Sequence, residues 1–160
     1  MSKRRRVAAP RRAARRAVDK ELKNITITNA GTTQRSTVLK TTTFPCTVAG
    51  LRWSISLQNA LTTDSEHMYW AIVVVHDGES VNAPSTSDTG DFYTPEQNVL
   101  AFGIISADDA DAGGRITTMT AGTSKTMRKL KQGDQLIFTS LGINGTAGIV
   151  RGIVQFFCKT

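Results

Sequence analysis

The sequence predicts an all-β domain of antiparallel strands behind a basic N-terminal arm. Three observations predict it. Outside the first twenty-three residues, no long window repeats apolar residues at the 3.6 spacing of a helix. The same region is rich in Thr, Ser, Gly and Asn; β-branched residues favour strands, and Gly and Asn favour tight turns. Short alternating or apolar runs recur every ten to twenty residues or so, separated by turn residues, which is the pattern of an antiparallel sandwich, barrel or jelly roll. A chain of 160 residues fits one such domain plus a tail, here divided as an arm over 1–23 and a body over 24–160.

The arm holds nearly all the excess charge. Lys3, Arg4, Arg5, Arg6, Arg11, Arg12, Arg15, Arg16, Lys20 and Lys23 face only Asp19 and Glu21, a net of +8 in a chain whose total is +7. The body is therefore close to neutral, at −1. Residues 3–6 read as an extended phosphate-binding or nuclear-import signal. Pro10 suits the first turn of a helix, and the Ala- and Arg-rich stretch after it has high helix propensity. On a helix from about residue 11, Arg11, Arg12, Arg15 and Arg16 fall within about 140° of arc, with Ala13, Ala14 and Ala17 opposite. Alone, so short and self-repelling a helix is unstable. The expectation is a segment that orders on phosphate. The Arg-rich start shares features with a mitochondrial presequence, but Asp19, Glu21 and the tight Arg4-Arg5-Arg6 cluster suit phosphate better. The apolar core of a secretory signal is absent, and no stretch has the length and apolarity of a membrane span.

In the body, Asn24–Thr28 alternates as a short strand and Asn29-Ala30-Gly31 breaks it. Thr37–Thr43 is a second strand, ended or bulged by Pro45. Leu51, Trp53, Ile55 and Leu57 alternate with Arg52, Ser54 and Ser56, a strand with one face on a core. Met68–His76 is almost unbroken apolar sequence and reads as a strand buried on both faces. Residues 77–97 form a long polar loop. Val99–Ser106 is a strand, 108–114 an acidic turn, and 115–120 and 124–130 are short β pieces. Gly133-Asp134 turns the chain into a strand at Gln135–Ser140. Asn144-Gly145 reads as a hairpin turn. Residues 148–158 form a long last strand, which belongs in the middle of a sheet.

Catalytic patterns are missing. His67 and His76 are the only histidines, and neither lies in a nucleophile, base or metal motif, so no catalytic residue, resident metal or cofactor is expected. Asp109 and Asp111 alternate like early calcium-loop ligands. The loop lacks the third such ligand, however, and Thr120 stands where the closing Glu would be. Cys46 and Cys158 have no zinc or disulfide-framework spacing and read as buried thiols; pairing between them is the minority alternative. The arm is the strongest functional signal. Arginine forks bind phosphate with two bonds at once and keep their charge. No aromatic residue interleaves with them, so sequence-independent binding is expected. Lys125, Arg128, Lys129 and Lys131 form a second basic cluster, readable as a solvated face or as a secondary phosphate contact.

An Arg-rich arm (KRRR, then RRAARR) joined to a compact, Thr-rich all-β body resembles the coat proteins of small icosahedral viruses with circular single-stranded DNA, the circovirus and nanovirus kind. The stretch Ser124–Leu136 (SKTMRKLKQGDQL) resembles the basic strand, turn and apolar strand late in such coats. The resemblance implies a single eight-stranded jelly roll, a T=1 shell of sixty copies in the virion, and an arm inside on a single-stranded genome, DNA favoured over RNA. It also implies passage through the host nucleus during assembly. The chain is shorter than circovirus coats, nearer in size to nanovirus or satellite RNA virus coats. The rival reading is a cellular basic-tailed nucleic-acid-binding module, such as a ribosomal or architectural protein. Those are usually basic throughout, unlike this body.

Overall fold

The computed structural model describes residues 18–30, 34–58, 66–82, 98–107, 117–142 and 147–160. They form nine strands: β1 (Val18–Ala30), β2 (Arg35–Thr41), β3 (Cys46–Gln58), β4 (Glu66–Val75), β5 (Val99–Ala107), β6 (Thr117–Ser124), β7 (Arg128–Leu130), β8 (Gln135–Gly142) and β9 (Ala147–Lys159). All described pairings are antiparallel. One sheet has the order β1-β9-β3-β6, with β7 also on β3; the other is β2-β8-β4-β5. Most steps along the chain therefore change sheet, and β4–β5 are the one consecutive pair that hydrogen-bonds to each other among the described strands.

The core lies between the sheets. Ile25, Leu51, Ile55, Val154 and Phe156 from the first meet Leu39, Met68, Ile72, Leu136 and Phe138 from the second, all essentially sealed from water. Trp53 and Trp70 meet in this layer, ring centroids 5.5 Å apart at 59°. Both indoles occupy space that glycines leave open. A Cβ at Gly122 would stand 2.5 Å from the Trp53 ring, and one at Gly103 would stand 3.0 Å from the Trp70 ring. As the apolar run predicts, β4 is buried on both faces. Ala71, Val73 and Val75 form a second cluster with Ile137 on the outer side of the sheet, with Val81 and Val99 packed against it. Gln34 holds the Val81 segment there, donating to Asn82 O and Thr139 Oγ1 at 3.0 Å each.

Several expectations are corrected. Strand β1 begins at Val18, not Asn24, and pairs residue for residue with β9 from Val18↔Lys159 to Ala30↔Ala147. The length of β9 demands an equally long neighbour, which overrides the charged, helix-favouring character of residues 18–23. The described strands number nine, within the eight or nine that the sequence pattern gives, and β6 and β7 both pair with β3. The break between them lies level with a bulge in β3 between Ala49 and Arg52, where Gly50 takes a positive φ of 61°. There Ser124 Oγ accepts the Thr126 amide at 3.2 Å and donates to Thr126 Oγ1 at 2.9 Å, a local turn that competes with pairing. Asn144-Gly145 lies outside the described residues; the expected hairpin is not formed by the strands on either side of it, because β8 and β9 lie in different sheets. Turn chemistry is local and carries no information about which sheet the next strand joins. The acidic turn at 108–114 and most of the 77–97 loop lie outside the described residues.

The turn between β7 and β8 is tightly fastened. Asp134 Oδ2 accepts the Lys131 amide at 2.7 Å, and its Oδ1 accepts the Asp77 amide at 3.4 Å and lies 3.2 Å from His76 Nδ1. Thr42 donates its amide to Asp134 O at 3.0 Å and accepts Gly133 N–H at 2.9 Å. Gly133 has φ 89°, and a Cβ there would strike Asp77 Cγ at 2.6 Å.

Candidate nucleic-acid interface

Eight of the ten predicted phosphate-binding residues, Lys3 through Arg16, lie outside the described residues, as does the expected helix from residue 11. The other two are placed, and the structure separates them. β1 alternates its side chains across the sheet. Ile25 and Ile27 point into the core, so Lys20, an odd number of residues from both, stands on the outer face and is exposed. Lys23 lies on the inner side near the rim and pairs with Glu21 at 3.7 Å. Glu21 also takes an ion pair and hydrogen bond from Lys40 of β2, a link between the two sheets. Burial on its own raises the Glu21 carboxyl, but the Lys40 hydrogen bond and charge, with Lys23, hold it below its ordinary value. Burial likewise lowers the Lys40 ammonium, and the bond to Glu21 with the nearby thiols more than offsets it, so its pKa is raised.

Those thiols, Cys46 on β3 and Cys158 on β9, are free, buried and hydrogen-bonded to each other. Burial, with the Cys46 thiol alongside, pushes Cys158 up to about 12. Cys158 is therefore a neutral packing group at physiological pH.

The second basic cluster also divides. Arg128 Nη2 donates to the buried Asn98 Oδ1 at 2.9 Å, tying β7 to the start of β5. That makes it a fastening of the fold. Lys125, Lys129 and Lys131 are exposed. Lys129 is opposite Thr47, which is opposite Lys159, so all three stand in one row across the sheet. The two histidines have structural partners: His67 Nδ1 is 2.8 Å from Ser106 Oγ, and His76 faces Asp134.

Sequence reasoning did not single out Arg52, Arg151 and Lys159 as binding residues. All three are exposed on the outer face of the five-stranded sheet. The alternation around Arg52 was the one available signal. That the three cations share a face depends on register: Arg52 is opposite Gln155, and Arg151 is opposite Ser56.

No protein-family model matches the chain, and no curated protein matches it. Among solved structures, a chain of the cyanophage Pam1 capsid asymmetric unit aligns over 98% of this chain and 96% of its own length, at 15% identity and a TM-score of 0.36. A likeness that low carries no argument about fold or role.

Proposed function

We propose that this chain is a viral coat protein, structural rather than catalytic. Its body is a jelly-roll shell domain, and its arm, including Lys3, Arg4, Arg5, Arg6, Arg11, Arg12, Arg15 and Arg16, packages a single-stranded genome. The observation that carries the reading is the segregation of charge. A near-neutral two-sheet sandwich carries +8 on its first twenty-three residues. The interleaved orders β1-β9-β3-β6 and β2-β8-β4-β5, with the first and last strands adjacent, support a jelly roll. In this reading β7 is the broken end of the strand begun by β6. The resemblance of the arm and of Ser124–Leu136 to coats of small single-stranded DNA viruses supports a sixty-copy T=1 shell, with DNA inside and nuclear passage during assembly. Assembly is coupled to neutralisation, because like-charged arms repel until phosphate is present.

Deleting residues 1–16 tests the reading. The deletion stops short of β1, so the body is expected to fold, with the same thermal transition as the full chain. Electron microscopy and the 260/280 nm absorbance ratio of purified particles report the outcome. The full chain gives uniform closed shells with a high ratio. The deleted chain gives none that contain nucleic acid. Full particles with normal nucleic-acid content after the deletion would refute the proposal.

A further inference from the structure

The two outer faces of the sandwich differ in kind. On the five-stranded sheet, the outward positions include Lys20, Arg52, Arg151, Lys159 and Lys129, all exposed. No Asp or Glu stands at a described outward position of that sheet. Asp19 and Glu21, its only acidic strand residues among those described, occupy alternate positions of β1, and Glu21 is held by Lys40 on the inner side. None of the five cations forms an ion pair with a described residue. On the four-stranded sheet, the described outward strand positions hold no Lys, Arg, Asp or Glu. They hold residues such as Val38, Ala71, Val73, Ile104 and Ile137.

The cations are also in line. Arg151 and Lys159 are eight residues apart on β9, about 27 Å at roughly 3.4 Å per residue. Arg52 lies between them, opposite Gln155, and Lys20 lies beside Phe157. Lys129 extends the Lys159 row across β3. The line ends at Val18, opposite Lys159, the point where the arm joins the body. A stacked strand, at about 3.4 Å per nucleotide, would set about eight phosphates along that length. Between the cations lie neutral donors and shallow depressions, one lined by Asn24, Thr26, Ser54, Ser56, Arg151 and Ile153. Leu22, Ile153 and Met119 are exposed apolar neighbours, suited to sugars and base edges.

We propose that this face is a second nucleic-acid-binding surface, a fixed phosphate track that continues the arm along β9 and points the five-stranded sheet towards the packaged strand. The proposal deepens the packaging reading and rests on it. The occupant is a single-stranded nucleic acid: cations spaced along about 27 Å with no acidic residue among them, starting where the arm joins, complement a continuous polyanion that the arm also binds. Phe157, half-buried with its ring against Gly50, is the one aromatic residue at a described outward position of this sheet; a single ring gives no run of stacking sites, so binding is independent of base sequence.

The test uses full-length protein freed of nucleic acid and a labelled thymidine oligonucleotide. Affinity is measured by fluorescence anisotropy across a range of salt. For single strands the logarithmic salt slope is about −0.7 per phosphate neutralised. The triple variant Arg52→Gln/Arg151→Gln/Lys159→Gln should lose about 2 from the magnitude of that slope, and its affinity should fall at least ten-fold. An equal change of charge on the other sheet, Arg35→Gln/Ser36→Glu/Val38→Glu at exposed positions of β2, should change the slope by less than about 0.5. The charge-keeping variant Arg52→Lys/Arg151→Lys should retain the slope, and thermal melts check that all variants fold. Equal slopes for the two triple variants overturn the track, as does failure of the charge-keeping variant to retain the slope. If deletion of residues 1–16 then still abolishes tight binding, the packaging reading stands without the track. A wild-type chain with no salt-dependent binding overturns both.

Discussion

Asp134→Asn is a substitution of nearly equal size that should be costly. The carboxylate is 3% exposed and answers three donors. Oδ2 takes the Lys131 amide at 2.7 Å; Oδ1 takes the Asp77 amide at 3.4 Å and faces His76 Nδ1 at 3.2 Å. Asparagine offers one oxygen and one NH2. Whichever way it turns, its NH2 meets a backbone N–H, and one buried donor goes unanswered, at about 1–3 kcal/mol. The remaining bond loses its charge assistance, which roughly halves it. A total of about 2–3 kcal/mol corresponds to a fall in Tm of about 4–12 °C for a chain of this size. The assay is calorimetric or fluorescence melting of the full chain without nucleic acid. The sign with pH is fixed as well. Burial alone raises the Asp134 carboxyl, but the Lys131 amide, His76 and the Asp77 amide hold it below 3.8. Its contribution is therefore fully present above pH 3.8 and drains away as pH falls through the lower folded value. The gap between wild type and variant should be widest at neutral pH and narrow below 3.8. A drop under about 1 °C at neutral pH, or a gap constant into acid, would refute the argument.

Glu21→Gln should lower stability by about 1–2 kcal/mol at neutral pH, because it leaves Lys40 between the sheets without its anion. The depressed Glu21 carboxyl contributes above pH 4.5 and loses that contribution as pH falls through its folded value, while the raised Lys40 contributes below pH 10.5 and loses it as pH climbs through its own. Chemical denaturation at acidic, neutral and alkaline pH should therefore show the largest cost in the middle. Gly152→Ala should destabilise by about 1–3 kcal/mol, since its Cβ would stand 2.7 Å from the Ser54 carbonyl oxygen on the neighbouring strand, an atom that cannot swing aside. An unchanged urea midpoint would show that β9 and β3 have slack.

The parts of the fold legible in the sequence are those set by period and by apolar content. The alternation from Leu51 to Leu57 announces β3, and the run from Met68 to Val75 announces a strand covered on both sides. What stayed hidden depends on partners far along the chain. Residues 18–23 are charged and helix-favouring by themselves; they become strand because β9 runs thirteen residues and needs an edge partner of that length. Asn144-Gly145 satisfies local turn rules between two strands that belong to different sheets. The β6–β7 break lies level with a bulge across the sheet at Gly50, which sequence near residue 125 does not record, and only the Ser124–Thr126 turn beside it is local.

The candidate site divides along the same line. A cationic arm is legible because its charges are consecutive. Arg52, Arg151 and Lys159 are more than ninety residues apart at the extremes, each alone among neutral neighbours, and only strand register gathers them. Under the proposal that difference has an energetic meaning. An arm that orders on contact loses about 1–2 kcal/mol of backbone freedom for every residue fixed, so much of its attraction to phosphate is spent on ordering. The track along β9 is held by pairing on both sides and loses only side-chain freedom on binding. Few fixed cations can then match many tethered ones, which is why a body of net charge −1 need not be a passive wall. On the proposed reading, the arm would gather the strand from a distance, and the sheet would set where that strand lies.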